Sequence, residues 1–220
     1  MNRYKKRVAL DPEAARYIVD ADLTLAVSER RQNIPITHRL PVDFNSLFGN
    51  TRPVEIEVGF GTGTFLAESS KLHPEKNFLG IEITKKMAFL TANRLLKEKT
   101  PNARLVLADA SLFFKAKVPD CSVELIHVYF PDPWVKKRHH KRRIMNRAFL
   151  KEAFRALVPG GRVNFFTDHR DYFNYFLEEK AAFGLFKDDA AMGACVPTAY
   201  ERKWTGQGRE IYRAVLKKSL

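Results

Sequence analysis

Val54-Glu55-Ile56-Glu57-Val58-Gly59-Phe60-Gly61-Thr62-Gly63-Thr64 reads as a strand that runs into a glycine-rich turn and then a helix. Residues 54–58 form the strand and residues 64–72 the helix. Glycines at alternate positions let the backbone turn tightly and approach a ligand with no Cβ in the way. The spacing is GxGxG rather than the GxGxxG of dinucleotide folds, because Thr64 stands where the third glycine would fall. Together with the preceding Glu57, that departure argues against a nicotinamide cofactor.

On either side of this stretch the pattern is one of strands alternating with amphipathic helices. A second strand is predicted over 78–83, then a helix over 85–97 with Met87, Leu90, Ala92 and Leu95 inward. A third strand follows over 105–108 and a fourth over 123–130. The helix over 146–157 places Phe149, Leu150, Phe154 and Leu157 on one face, and Pro159-Gly160-Gly161 ends it. A fifth strand spans 162–167, followed by a helix to about residue 182. Strands over 184–187 and 210–216 flank an irregular connection through Pro197 and Gly206. Such repeats predict an α/β fold, a doubly wound, mostly parallel, seven-stranded sheet with an antiparallel edge strand. Residues 1–50 lack a strong period and read as an arm or lid, with residues 51–220 forming the main domain. Within the arm, 11–26 suggests a short helix or two, and Phe44, Leu47 and Phe48 an apolar clip.

A chain of 220 residues with 45% hydrophobic content suits one sizeable core. The formal charge of +13 favours an anionic partner. Apolar runs are strand-sized, well short of the roughly 20 residues a membrane-crossing helix needs, so no membrane role is expected. Cys121 and Cys195 are far apart and form no CxxC unit, and Asp11-Pro12-Glu13 interrupts any apolar leader. Reduced thiols and a cytoplasmic location are expected.

Successive strand ends carry acids as well as glycines. Ile81-Glu82 places a carboxylate where both ribose hydroxyls can be bound, and Ala108-Asp109-Ala110 places one suited to an adenine amino group. With Glu57, Gly59 and Gly61, this is the adenosine-pocket pattern of S-adenosylmethionine-dependent methyltransferases.

The fourth predicted strand stops at Phe130-Pro131-Asp132-Pro133-Trp134, a carboxylate held between two prolines beside an indole. Val135-Lys136-Lys137-Arg138-His139-His140-Lys141-Arg142-Arg143 follows, with no acid before Glu152. A rigid carboxylate next to a polyanion-binding run points to chemistry on a nucleic-acid base. Trp134 offers a stacking platform for an unstacked base or, alternatively, a core indole. Arg138, His139, His140, Lys141, Arg142 and Arg143 suit the RNA backbone. Adjacent histidines among cations make a poor metal site, and no metal is expected.

These blocks, with Gly80-Ile81-Glu82, Thr167-Asp168 and Thr198-Ala199-Tyr200-Glu201, resemble the bacterial tRNA (guanine-N7-)-methyltransferase family. The likeness runs from about Phe48 to the C-terminus, and the PDPW-xKxRHxKRR block is its most specific part. The resemblance implies a Rossmann-like class I methyltransferase fold, S-adenosylmethionine as cofactor and tRNA as partner. It implies methyl transfer to N7 of the guanine at tRNA position 46. It marks Asp132 as the active-site residue and implies substrate binding by Lys136, Asp168, Thr198, Ala199, Tyr200 and Glu201. For Asp132 the residues leave three roles open: stabilising the cationic product base, accepting from the guanine amino edge, or holding the cofactor's ammonium.

Two other readings stand beside this one. Methylases of exocyclic amines also use a Pro-flanked turn with an aromatic, usually of DPPW or NPPF type. A non-catalytic RNA-binding protein with a vestigial cofactor pocket would not need the intact set Glu57, Gly59, Gly61, Glu82, Asp109 and Asp132. Oligomeric state, monomer or homodimer, is not encoded in any pattern here.

Overall fold

The computed structural model describes residues 8–19, 41–189, 201–202, 206 and 208–219. Its centre is a seven-stranded sheet in the order β3-β2-β1-β4-β5-β7-β6. The strands are β1 (Val54–Val58), β2 (Asn77–Glu82), β3 (Ala103–Leu107), β4 (Val123–Tyr129), β5 (Leu157–Thr167), β6 (Phe186–Asp188) and β7 (Tyr212–Lys218). From β3 to β5 all neighbours are parallel, and strand order reverses direction between β1 and β4. That reversal is the switch point at which ligands bind in open α/β sheets. β7 runs antiparallel to both β5 and β6. The antiparallel addition expected at this edge is therefore present, with β7 one strand in from the rim and β6 outermost.

Helices α1 (Phe44–Phe48), α2 (Thr64–Leu72), α3 (Lys85–Glu98), α4 (Ala110–Lys117), α5 (Arg147–Ala156) and α6 (Arg170–Phe183) complete the layers. Ile56, Ile126, Val163 and Phe165 from the sheet meet Phe114, Phe149, Leu150 and Phe176 in the main core, all essentially excluded from water. A second cluster forms where α2 and α3 cover β2 and β3, through Leu66, Phe78, Ala92, Leu95 and Leu105.

Three sequence expectations need correction. In α3 the inward positions are Ala88, Thr91, Ala92 and Leu95, while Met87 and Leu90 are half-buried and Met87 faces the cavity described below. Helix α4 was not foreseen; its Asp109 N-cap accepts from the Leu112 N–H at 3.0 Å. Pro159-Gly160-Gly161 does not follow α5 as a turn. The chain is already extended at Leu157, and β5 runs through these residues with an irregular register against β4.

The described part of the first fifty residues packs on the domain. Ala14 and Tyr17, in a short 3-10 helix over Pro12–Tyr17, are buried against α3 and β3. The Asn93 side chain holds this segment by accepting from the Asp11 N–H and donating to the Ala9 carbonyl, both at 2.9 Å. Val42, Phe44 and Phe48 join the main core. The rest of the predicted arm, including 20–40, lies outside the described residues. Among the described residues no helix is long and apolar enough to cross a membrane.

Candidate active site

The carboxyl ends of β1 to β4 open on one cavity of about 470 Å³. All six residues assigned to the cofactor line it: Glu57, Gly59, Gly61, Glu82, Asp109 and Asp132. Gly59, Gly61 and Gly63 adopt φ of 75°, 51° and 67°, the left-handed region in which a side chain is strained. At Gly63 a Cβ would also stand 2.2 Å from Thr91 Cγ2, so α3 leaves no room for one. Thr91 Oγ1 in turn donates to the Gly61 carbonyl at 3.2 Å, holding the turn.

The acids differ in their surroundings. Glu82 accepts from the Gly61 N–H at 3.2 Å and the Thr84 N–H at 2.9 Å, one on each oxygen, so its orientation is fixed. An ionised carboxylate has about four acceptor sites, which leaves capacity for hydroxyl donors. Glu57 is buried, and its Oε2 has no hydrogen-bond partner among the described residues. Burial, then repulsion from Glu82, pushes its carboxyl up to about 8. An unmatched buried carboxyl oxygen on the wall of a cavity suits a cationic group of a ligand. Ile83 completes the wall, a large apolar side chain left 44% exposed beside Met87 and Ala108. Sequence reasoning passed over Ile83; an apolar residue directly after the strand-end acid Glu82 was the available signal.

Beyond β4 the chain makes the turn that carries Asp132. Phe130 and Trp134 have φ of 48° and 45°, strained values for non-glycine residues, so the surrounding structure must hold the turn in place. The Phe130 N–H donates to the Phe166 carbonyl at 2.8 Å, and the Arg143 Nε–H donates to the Pro133 carbonyl at 2.9 Å. Asp132 itself is exposed at the cavity mouth. Trp134 lines the cavity with the Arg142 guanidinium 4.8 Å from its ring centre and His139 edge-on at 5.8 Å. It is half-buried at the site, so the alternative of a core indole does not hold.

The basic run folds as a 3-10 helix over Lys137–Arg142, in which residues three apart share a face. Arg138 and Lys141 are exposed, as is Lys136 just before. His139 and Arg142 lie on Trp134. His140 and Arg143 turn inward to α6. Arg143 has no exposed side-chain surface, and its guanidinium lies against the rings of Tyr172 and Tyr175, 5.0 and 5.1 Å from their centres. The phosphate-gripping role expected for Arg143 is therefore corrected: its charge does not reach the surface.

Asp168 follows β5 and pairs with Arg209 at 3.2 Å, and it is not among the cavity walls. Glu201 pairs with Arg213 at 2.8 Å. Arg202 pairs with Glu68 on α2, so this part of the tail is tied to the domain. Thr198, Ala199 and Tyr200 lie outside the described residues. Among the described residues no group of three or more His, Cys, Asp or Glu gathers to hold a metal ion.

Beneath the cavity runs a polar chain that sequence reasoning also missed. Burial alone would raise the Glu55 carboxyl, but hydrogen bonds and charges from His127 and Lys76 outweigh it and hold the group at about 2. The ionised Glu55 accepts from His127 Nε2–H at 2.7 Å and from Lys76 at 2.7 Å. His127 Nδ1 and the Tyr129 hydroxyl share a hydrogen bond of 2.8 Å, and Tyr129 lines the cavity. The register sets Glu57 beside His127 across β1 and β4, which brings the chain to the site.

Strand order, glycine turn and acidic strand ends together define a Rossmann-like class I S-adenosylmethionine-dependent methyltransferase. The protein-family profile described as "Putative methyltransferase" matches residues 51–214. A tRNA (guanine-N(7)-)-methyltransferase of Rhodopirellula baltica is 44% identical over 146 residues, which cover 63% of this chain and 54% of that protein. The chain thus spans about half the length of that relative. One of a Geobacillus species is 35% identical, covering 79% of this chain and 82% of that protein. Among solved structures, the 16S rRNA methyltransferase KamB superposes with a TM-score of 0.58 at 15% identity, covering 80% of this chain and 93% of that one, a likeness of fold. The chain belongs to the tRNA (guanine-N(7)-)-methyltransferase family.

Proposed function

We propose that this protein methylates N7 of the guanine at position 46 in the variable loop of tRNA, in the cytoplasm. The observation that carries the proposal is the Asp132 turn opening onto the same cavity as the glycine turn. S-adenosylmethionine supplies, when bound, an electrophilic methyl group on a sulfonium. Glu57 would hold its ammonium group and Glu82 its ribose hydroxyls. Asp109 would meet the adenine amino group, with Ile83 and Met87 against the ring. Guanine N7 has an in-plane lone pair and no proton, so the site must position the base rather than deprotonate it. Asp132 faces the base as it becomes cationic, and a fixed carboxylate there stabilises the developing charge. Trp134 offers a face on which the exposed base stacks once Arg142 moves towards phosphate. Asp168, Thr198, Ala199, Tyr200 and Glu201 bind the guanine edge, while Lys136, Arg138, Lys141 and Arg142 meet the RNA backbone.

Incubation with labelled S-adenosylmethionine and unmodified tRNA, followed by nucleoside analysis, tests this reading. Label is expected in 7-methylguanosine and lost from a transcript with adenine in place of the target guanine. Label in an exocyclic-amine product would overturn the substrate assignment. tRNA binding without label would make the chain a binding protein.

A further inference from the structure

Arg143 is among the largest fully buried side chains of the described residues, yet it lies at the end of a run of solvent-facing cations. Its Nε–H donates to the Pro133 carbonyl at 2.9 Å, and its Nη2 donates to Asp171 Oδ2 at 2.5 Å. The Tyr172 and Tyr175 rings both lie against the guanidinium, and the Tyr172 hydroxyl accepts from the Met145 N–H at 3.1 Å. Nη1 is buried with no hydrogen-bond partner among the described residues.

A buried cation with one unmatched donor costs stability, and a well-packed apolar side chain would fill the same space more favourably. What an apolar residue cannot do is bind two groups at a fixed angle, which the planar guanidinium does. The two groups here are informative. Pro133 directly follows Asp132, and Asp171 stands in the first turn of α6, three residues after Asp168. The Asp132 carboxylate accepts no hydrogen bond from the described residues. Its placement therefore depends on the backbone of a turn that is strained at both ends, at Phe130 and Trp134.

We propose that Arg143 is a positioning residue, a brace that fixes the Asp132 turn against the start of α6 and so sets Asp132 relative to Asp168. This rests on the reading of Asp132 and Asp168 as substrate-facing groups. The basic run then has two functions in one segment. Its outward residues meet RNA, and its last residue holds the turn where the base reacts.

Arg143→Lys keeps the charge but loses the fork and the stacking plane. Asp171→Asn weakens the other anchor at a side chain that is 62% exposed, where the fold tolerates change. With S-adenosylmethionine saturating, both variants are expected to lower kcat on the order of 10- to 100-fold, the effect of a small misplacement of reacting groups. KM for tRNA and the salt dependence of tRNA binding should stay at wild-type values. Amide exchange at Asp132, Trp134 and Val135 should quicken. A raised KM with a shallower salt slope and unchanged kcat would make Arg143 a phosphate contact and overturn the brace. If Arg143→Lys fails to fold, Asp171→Asn decides: wild-type kcat and wild-type exchange in that variant would equally overturn it. Should the wild-type protein transfer no methyl to tRNA, the functional reading fails, while amide exchange still tests the brace.

Discussion

Glu57 is the residue at which the proposed cofactor binding and protonation meet. Its carboxyl is pushed up to about 8 by burial and then by Glu82, so it carries a proton at neutral pH. A cationic ammonium beside it favours the ionised form and reverses that balance. Binding of S-adenosylmethionine at neutral pH is therefore expected to release a proton, and affinity should rise as pH climbs towards 8. Glu57→Gln keeps the shape and removes the ionisation. It should bind the cofactor roughly 10- to 100-fold more weakly, the loss of one charged hydrogen bond, and with no rise in affinity over the same range. Calorimetry in buffers of different ionisation enthalpy counts the protons directly. An unchanged count in the Gln variant would assign the released proton to another group.

At the scale of the element, the 3-10 helix over Lys137–Arg142 sorts its cations by a period of three. Arg138→Glu with Lys141→Glu should weaken tRNA binding and reduce the slope of log affinity against log salt by about one per lost phosphate contact. Filter binding across a salt series checks this, and an unchanged slope would remove these residues from the RNA contact. The sequence shows that the run is cationic but not which cation points inward, since neighbours of like charge give no hydrophobic period. That is why Arg143 was misassigned. Elsewhere legibility followed the same physics. The β1 strand, the glycine turn and α2 were readable because apolar period and glycine spacing agree. Helix α4 was not, because Phe113 and Phe114 are adjacent buried residues in only eight positions and mark no clean face. Pro159-Gly160-Gly161 is a good helix stop on composition, yet Gly160 at φ 78° serves an irregular stretch inside β5. Glu57, Gly59, Gly61, Glu82, Asp109 and Asp132 could be singled out because each is a glycine or an acid at or just after a strand end, and the sheet brings those ends to one cavity, whereas Ile83 and Met87 carry no such mark. The Glu55–His127–Tyr129 chain was hidden because its members come from two strands and only register pairs them.

At the scale of the whole molecule, the two glutamates of β1 give stability opposite dependences on pH. Between the ordinary carboxyl value of 4.5 and about 8, the folded protein holds a proton on Glu57 that the unfolded chain has released. Stability contributed through Glu57 is therefore present below this window and declines as pH rises through it. Glu55 is held at about 2 by His127 and Lys76 against its burial, so between 4.5 and about 2 the unfolded chain takes up the proton first. Its contribution is present above the window and declines as pH falls through it. Through these two groups, the cofactor-free protein should then melt highest near pH 4.5, where the two windows meet, and lose stability on both sides. Glu57→Gln should flatten the alkaline limb while leaving the acid limb in place. Glu55→Gln should do the reverse, and it should also lower stability near neutrality, since His127 and Lys76 lose their charged acceptor. Thermal melts across pH for the three proteins separate these outcomes. An alkaline limb that survives Glu57→Gln would assign that proton elsewhere, and with it the proposed link between cofactor binding and the charge of Glu57.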